Sequence, residues 1–163
     1  MKLSWRQWRD PEALIVCGLG SGFVPRAPGT CGSIAALLLW WWLLAPLSIW
    51  WQLAAIVAIF GLGIWLCGRV QKRYGVVDDG AIVIDEFAGQ WIVLLGAATQ
   101  PATMIGAFVL FRLFDILKPY PVKKLERSLP GPWGVMMDDV AAGVLALGVL
   151  EFALWVLAGV YPP

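Results

Sequence analysis

Ile82-Val-Ile-Asp-Glu-Phe-Ala-Gly-Gln-Trp-Ile-Val-Leu-Leu95 places two adjacent carboxylates, Asp85 and Glu86, at the head of an apolar run of helical length. A charged side chain inside a membrane costs roughly 2.5–3.5 kcal/mol, so acids are uncommon there without a function. Acids in the first turn of a helix can also simply complement its dipole. A second apolar run begins the same way, with Met136-Met-Asp-Asp-Val-Ala-Ala-Gly143, and this repetition favours a functional role for the four acids.

The composition is that of an integral membrane protein. Of the 163 residues, 60% are hydrophobic and only 14% are charged, whereas a soluble domain carries about 25% charged residues. The length suits one small domain, residues 1–163, and the net charge of +1 gives no field that would attract nucleic acid. Histidine is absent and the three cysteines show no paired spacing, which excludes a histidine base, a disulfide framework and a zinc site.

The apolar runs predict an all-α integral membrane protein, a small bundle of about five membrane helices. A surface segment at 1–10, with Trp5 and Trp8 among its charges, precedes them and is followed by a Gly-rich loop at 18–33. The longer runs reach the roughly 20 residues that a bilayer requires. The predicted helices cover approximately residues 31–45, 47–67, 82–98, 102–117 and 135 (or 138)–161.

The distribution of charge predicts the orientation of this bundle. With the amino terminus in the cytoplasm, the connections 68–80 and 118–134 also face it. All 12 Lys and Arg residues then lie on that side or, for Arg112, about one turn from it, as the positive-inside rule requires. Every acid except Glu151 lies at the same end. The Gly-rich loop and the acids of three distant stretches are therefore predicted to meet in a site that faces the cytoplasm.

The acids of this face suit a hard cation. Mg²⁺ prefers oxygen ligands, keeps several waters and commonly bridges carboxylates to a substrate phosphate. Asp115 lies near a helix carboxyl end, where the dipole disfavours an anion, although a simple i,i+3 ion pair with Arg112 would also explain it. The predicted metal ligands and the predicted catalytic residues are the same five acids: Asp85, Glu86, Asp115, Asp138 and Asp139.

The Gly-rich loop predicts a site for an anion. Its five glycines and two prolines lead into a predicted helix, and the backbone N–H groups of such a loop bind phosphate readily. The alternative is a capping loop in which Thr30 or Ser33 is the N-cap of the helix. Beside the acids, the loop favours a phosphate-bearing lipid as ligand. The residues predicted to hold the phosphate are Arg26, Thr30, Gly32, Ser33, Arg112 and Lys118.

Four motifs in order resemble the bacterial phosphatidylglycerophosphatase A family. They are Gly20-Ser-Gly…Pro28-Gly-Thr-x-Gly-Ser33, Asp85-Glu86-x-x-Gly89, Phe111-Arg-x-x-Asp115-x-x-Lys118-Pro119 and Met137-Asp-Asp-x-x-Ala-Gly143. The resemblance implies a multi-pass, Mg²⁺-dependent enzyme of the bacterial inner membrane. Such an enzyme hydrolyses phosphatidylglycerophosphate, a membrane lipid, to phosphatidylglycerol and phosphate. Mg²⁺ held by some of the five acids would activate a water, while Arg26, Arg112, Lys118 and the loop would steady the phosphate.

Three other interpretations are open at the level of sequence. One carboxylate could act as a covalent nucleophile. The alternative function is a cation transporter with an acidic cytoplasmic mouth, although only Glu151 lies at mid-depth, where transporter sites usually lie. Cys67 and Arg73 match the Cys-x5-Arg spacing of cysteine phosphatases, but the strand before that motif and the Ser or Thr after it are missing.

Overall fold

The computed structural model describes residues 2–76, 79–97 and 99–160, and every regular element within them is helical. The all-α part of the prediction is therefore confirmed. Short 3₁₀ turns occur at Trp5–Gln7 and Gly18–Phe23, and a π-helical segment, Trp40–Leu44, continues the second α-helix. The α-helices are α1 (Pro11–Val16), α2 (Pro28–Leu39), α3 (Ile49–Tyr74), α4 (Ile84–Val93), α5 (Pro101–Leu117), α6 (Val122–Ser128) and α7 (Pro132–Val160).

The central element of the bundle is α4. Seven of its 10 residues are buried, because α2, α3, α5 and α7 all pack against it. At 1.5 Å per residue it is about 15 Å long, half the thickness of a bilayer core. The prediction of a helix over 82–98 is therefore wrong in its extent. The chain turns after Val93, and Gly96 adopts a φ of 71°, which glycine tolerates without strain.

Two of the described helices, α3 and α7, are long and apolar enough to cross a membrane. With 26 and 29 residues, they exceed the roughly 20 residues that a bilayer core requires. Their surfaces are consistent with lipid contact, since large apolar side chains such as Val57, Trp65 and Phe152 are exposed on them. Length, composition and exposure together indicate that the protein associates with a membrane.

Several predicted boundaries differ from the structure at the charged end of the bundle. The helix predicted to end near 67 continues for about two turns to Tyr74, because Arg69, Lys72 and Arg73 extend it and Gly75 ends it with a φ of 65°. The predicted connection 118–134 contains α6. The last helix begins at Pro132, a residue favoured in the first turn, and the predicted ends at 98 and 161 fall outside the described residues.

The amino-terminal segment is fixed against the charged end of α3. Asp10 caps α1 and also accepts hydrogen bonds from Arg73 (2.6 Å) and from the Tyr74 hydroxyl (2.7 Å). Glu12 pairs with Arg69 at 2.8 Å and with Arg73 at 2.7 Å. These contacts hold residues 2–16 at the end of the bundle where the acids predicted to form the site lie.

The helices α4 and α7 cross at two glycines. A Cβ atom added to Gly143 would lie 3.0 Å from the Cα of Gly89, and a Cβ added to Gly89 would lie 2.7 Å from the carbonyl oxygen of Asp139. Only glycine permits this approach of the two backbones. The crossing places the first acids of α4 beside the acids of α7.

Candidate active site

A cavity of about 570 Å³ lies at the charged end of the bundle. Its wall combines the start of α2, the start of α4, the end of α5 and the first turns of α7, with α6 across the side. Four stretches that are far apart in sequence therefore meet in one place. The ionisable residues in the wall are Asp79, Asp85, Glu86, Arg112, Asp115, Lys118, Glu126, Asp138 and Asp139.

Three of the acids in the wall form a compact cluster. Asp85, Glu86 and Asp139 each offer a carboxylate oxygen, and these three oxygens lie within 4.8 Å of one another. Glu86 is 9% exposed and Asp139 is 3% exposed, so solvent does little to compensate their charge. Within the described residues, Glu86 Oε2 and Asp139 Oδ2 accept no hydrogen bond.

The geometry of this carboxylate cluster fits a small hard cation. Opposite ligands of Mg²⁺ lie about 4 Å apart, twice its usual metal–oxygen distance, and Mg²⁺ takes oxygen ligands almost exclusively. The unpartnered oxygens Glu86 Oε2 and Asp139 Oδ2 are available to bind such an ion. Asp138, although buried, and Asp115 line the cavity outside this cluster, so they are placed to act on a bound substrate or to support the ligands.

The dipole of α7 does not account for Asp138 and Asp139. The helix begins at Pro132, nearly two turns before them, and the dipole acts mainly within the first turn. The prediction that this pair lies at the head of its helix is therefore wrong. The acids of α4 do lie in the first turn of their helix.

Arg112 joins Asp115 to the carboxylate cluster. Its Nη1 lies 2.6 Å from Asp115 Oδ2 and 3.8 Å from Glu86 Oε1. The same atom donates a hydrogen bond of 3.4 Å to Ser33 Oγ, which in turn donates to the Gly29 carbonyl at 2.9 Å. The i,i+3 ion pair is therefore present. It also holds the Arg112 guanidinium beside the carboxylate cluster, where the guanidinium can bind the oxygens of a phosphate.

Lys118 is held between two carboxylates. Its Nζ lies 2.7 Å from Asp138 Oδ2 and 2.7 Å from Glu126 Oε1. Burial by itself would lower the pKa of Lys118, but the hydrogen bonds to Asp138 and Glu126 outweigh burial and raise that pKa. The backbone of Lys118 ends α5 with a φ of 44°, a conformation that is uncommon for residues other than glycine. The side-chain contacts therefore fix this residue in an unusual backbone position beside the cavity.

The amino-terminal end of α2 forms another part of the cavity wall. Its N-cap is Ala27, with a φ of 52°, and no side chain caps the helix, so the proposal that Thr30 or Ser33 is the N-cap is wrong. Gly29 and Thr30 line the cavity, and their N–H groups belong to the first turn, which lacks intrahelical partners. A Cβ on Gly29 would lie 3.2 Å from the Arg112 guanidinium and would collide with Glu86.

Not every residue predicted to hold a phosphate lies in the cavity wall. Thr30, Arg112 and Lys118 do, while Arg26 is exposed and lies outside it. Gly32 packs against Val83, since a Cβ there would lie 2.7 Å from the Val83 Cβ. Ser33 acts through Arg112 and Gly29, as described above.

Other residues of the site were missed in the sequence. Glu126 binds Lys118 from a helix that was not predicted, and Asp79 accepts hydrogen bonds from the backbone N–H groups of Leu3 (2.9 Å) and Ala81 (3.0 Å). Gln90 was not singled out either. It is fully buried one turn after Glu86 and lies outside the cavity wall, and its side-chain atoms have no partner within the described residues.

The cysteine-phosphatase interpretation does not fit the structure. Cys67 is fully buried within α3, so its thiol cannot reach a substrate in the cavity. Arg73, which would bind the phosphate, is engaged by Asp10 and Glu12. The two residues therefore serve the packing and the pairing of α3.

Comparison with known proteins identifies the family. A family profile described as "Phosphatidylglycerophosphatase A" matches residues 14–154. The chain is 42% identical over 146 residues to the phosphatidylglycerophosphatase A of Escherichia coli K12, covering 88% of this chain and 83% of that protein. It is 40% identical over 151 residues to the Haemophilus influenzae protein of the same name, covering 91% and 92%.

A third relative carries a different name. The chain is 42% identical over 151 residues to a Bacteroides thetaiotaomicron protein with the provisional name phosphatidylinositol-3-phosphatase, covering 88% of this chain and 94% of that protein. No solved structure matches the chain significantly. The family profile and the relatives together cover most of the sequence, including every stretch that lines the cavity. The chain therefore belongs to the phosphatidylglycerophosphatase A family of phosphoric monoester hydrolases.

Proposed function

We propose that this protein hydrolyses the phosphomonoester of phosphatidylglycerophosphate to phosphatidylglycerol and inorganic phosphate. The observation that carries the proposal is the cavity in which Asp85, Glu86 and Asp139 bring three oxygens within 4.8 Å of one another. Arg112 and the amino-terminal end of α2 line the same cavity and supply donors for a phosphate. The names of the Escherichia coli and Haemophilus influenzae relatives support this substrate.

We propose Mg²⁺ as the cofactor, held by Asp85, Glu86 and Asp139. When bound, Mg²⁺ would neutralise charge on the phosphate and lower the pKa of the attacking water. Arg112 and the first-turn N–H groups of α2 orient the phosphoryl oxygens and stabilise the charge that develops on them. A carboxylate that lines the cavity outside the cluster, Asp115 or Asp138, is placed to accept the proton of the water. The water oxygen forms a bond to phosphorus and the bond between phosphorus and the glycerol oxygen breaks. The proton accepted by the carboxylate is then passed to the glycerol oxygen.

Lys118 and Glu126 support the reaction from the side of the cavity. Because the Lys118 ammonium is held by Glu126 and Asp138 at 2.7 Å each, its contribution is to keep Asp138 in place and to balance its charge. A covalent intermediate on one carboxylate is a second route to the same products. Trapping labelled phosphate on the protein after rapid quenching distinguishes this route from direct attack by water.

The proposed arrangement in the membrane is multi-pass, in the inner membrane of a bacterium. In it, α3 and α7 cross the bilayer, the segment Pro28–Leu44 and α5 complete the bundle, and the half-length α4 lies between them. The cavity faces the cytoplasm in this arrangement. The concentration of Lys and Arg at the cavity end of the bundle supports this orientation, because positively charged segments are retained in the cytoplasm.

A cation transporter is the alternative function. Its acids would be expected near the middle of the membrane, between helices that have separate halves. The carboxylate cluster instead lies at one end of the bundle in a cavity of about 570 Å³, beside groups that suit a phosphate. This position favours hydrolysis over transport.

The test is phosphate release by the purified protein in mixed micelles with Mg²⁺. Phosphatidylglycerophosphate, phosphatidylinositol 3-phosphate and phosphatidate are compared at equal surface concentration, with Asp139→Asn as the inactive control. We expect phosphatidylglycerophosphate to be hydrolysed fastest. Faster release from phosphatidylinositol 3-phosphate would move the assignment to the activity named for the Bacteroides relative. Cation uptake into liposomes without any phosphate release would favour the transporter.

A further inference from the structure

An apolar groove lies on the outer side of the bundle between α2 and α5. Its volume is about 370 Å³, and its wall is almost entirely apolar. Eight residues line it: two from α2, one from the π-helical segment that continues α2, four from α5, and Thr99 just before α5. Several are substantially exposed although they are large and apolar: Ile34 is 45%, Trp41 is 54% and Ile105 is 63% exposed. The others are Leu37, Thr99, Pro101, Met104 and Phe108.

This α2–α5 groove continues directly from the active-site cavity on α2. Thr30 lines the cavity, and Ile34, one turn further along the same face, lines the groove. Leu37 and Trp41 follow at the spacing of that face. The helix therefore carries one surface from the anion-binding end into the apolar groove, over about 10 Å between Ile34 and Trp41.

The other wall of the groove shows the same continuity in the opposite chain direction. Arg112 lines the cavity, and Phe108, one turn before it, lines the groove. Ile105 and Met104 continue this face of α5. Two neighbouring helices thus pass from polar to apolar within one turn, at the same level and on the sides that face each other.

We propose that the α2–α5 groove holds an acyl chain of the lipid substrate while its phosphate lies in the cavity. The proposal rests on the proposed function, because it requires a substrate that is a phosphate ester of a lipid. The change from Arg112 and Thr30 to Phe108 and Ile34 matches the change from phosphate to acyl chain in such a molecule. A second groove runs along α3 and shares Gly131 with the cavity, but Gln71 and Lys72 lie in its wall, so it does not offer the same change from polar to apolar.

The groove selects the position of the lipid rather than supplying a large binding energy. Lipid tails are as apolar as the groove, so the gain over the surrounding bilayer comes from packing and orientation. Filling the groove displaces the chain and shifts the phosphate relative to the carboxylates. Small misplacements of a reacting group lower the rate strongly.

The first test fills the groove with a larger side chain. Ile34→Trp and Ile105→Trp are compared with Leu38→Trp and Val109→Trp, which lie on the same helices at similar exposure (53% and 54%) and outside the groove. We expect kcat/KM for long-chain phosphatidylglycerophosphate to fall at least about tenfold in the groove variants. The control variants should stay within about twofold of the unsubstituted protein, as expected of exposed sites. Equal loss in both pairs, or in neither, would overturn the proposal.

A second arm separates the groove from the chemistry. The deacylated substrate, which keeps both phosphates and lacks the tails, should be hydrolysed equally by the groove variants and the unsubstituted protein. A loss on this substrate matching the loss on the lipid would show that the substitutions had damaged the catalytic cavity, which also overturns the proposal. An unsubstituted protein that releases no phosphate from long-chain phosphatidylglycerophosphate would instead overturn the proposed function.

A binding measurement tests the same groove without turnover. The probe is a phosphonate analogue of phosphatidylglycerophosphate with a photoreactive diazirine on one acyl chain, in phosphatidylcholine nanodiscs. We expect labelled peptides from 34–41 and 104–108, with labelling suppressed by excess phosphatidylglycerophosphate and unaffected by added phosphatidylcholine. Labelling that is equally strong at exposed Val57 and Phe152, or that does not respond to the phosphate lipid, would show ordinary bilayer lipid and contradict the proposal.

Discussion

Burial makes the individual acids of the cavity unlike ordinary surface carboxylates. Asp139 is 3% exposed, and its Oδ2 has no hydrogen-bond partner within the described residues. A buried charge without compensation is costly, and the neighbouring oxygens of Asp85 and Glu86 add repulsion. A bound cation would remove both costs, which is the physical reason for proposing that these residues bind a metal.

Neutralising one member of the cluster should remove activity without unfolding the protein. Asp139→Asn and Asp85→Asn keep the size of the side chain and delete the charge. Turnover should fall by at least about a hundredfold, which corresponds to losing roughly 2.7 kcal/mol of transition-state stabilisation. Phosphate release and thermal unfolding in detergent are the measurements.

The matched control for the cluster is Cys67→Ser. This thiol is buried in α3 and lies outside the cavity wall, so near-normal turnover is expected. An inactive Cys67→Ser protein together with active Asn variants would show that the carboxylates are not the catalytic groups.

A second test concerns the ion pair between Lys118 and Asp138. Lys118→Met leaves the buried Asp138 without its counter-ion, since the Nζ–Oδ2 distance is 2.7 Å. We expect a loss of about 1–3 kcal/mol in the free energy of unfolding, below the range for a fully buried pair because Lys118 is partly exposed. Turnover should fall as well. The control is Lys123→Met on the exposed side of α6, where equal losses would show that removing any nearby charge has the same effect.

The crossing of the helices α4 and α7 determines how the acids of the site lie relative to one another. Gly143→Ala introduces a methyl group 3.0 Å from the Cα of Gly89, so the helices must separate. Overpacking of this kind costs about 1–3 kcal/mol, and it also moves Asp139 away from Asp85 and Glu86. We expect lower thermal stability and a larger loss of turnover.

Gly148→Ala is the control for this crossing. It lies on the same helix, and an added Cβ there meets no atom within 4 Å. Alanine favours helix over glycine, so stability should be unchanged or slightly higher. Identical behaviour of the two alanine variants would refute the role of close backbone approach.

Helix boundaries could be predicted from the sequence where proline or glycine marks the ends of the helix. The predicted helix 102–117 matches α5, Pro101–Leu117, because Pro101 and Pro119 bound it. The end of α3 was missed because polar residues continue the helix on the surface of the bundle. The helix α6 was missed because its seven residues contain three basic side chains and only a short apolar face.

The meeting of distant acids was predictable, but their individual contacts were not. Charge distribution placed five acids at one end, and the structure brings oxygens of three within 4.8 Å of one another. The pair of Lys118 with Asp138 spans 20 residues and depends on the turn between α5 and α6. Spacing in the sequence carries information on neighbours within one helix, as for Arg112 and Asp115, and little on such tertiary pairs.

The whole molecule is expected to have one orientation in the membrane. Reporter fusions after Gly75, after Thr99 and at the carboxyl terminus should read inside, outside and outside. The reason is that the basic residues lie near the cavity end and are retained in the cytoplasm. A cytoplasmic signal at Thr99 would refute this arrangement, because the chain between Gly75 and Thr99 would then begin and end on the same side of the membrane.

The carboxylate–Mg²⁺ site is tested most directly by phosphate release from phosphatidylglycerophosphate while the free Mg²⁺ concentration is varied. We expect excess chelator to abolish release, Mg²⁺ to restore it, and Ca²⁺, which is larger and looser in its geometry, to restore it poorly. Asp139→Asn should remain inactive at saturating Mg²⁺, because the ligand itself is lost. Full release in excess chelator, or an Asp139→Asn protein as active as the unsubstituted one, would show that the reaction does not depend on this site.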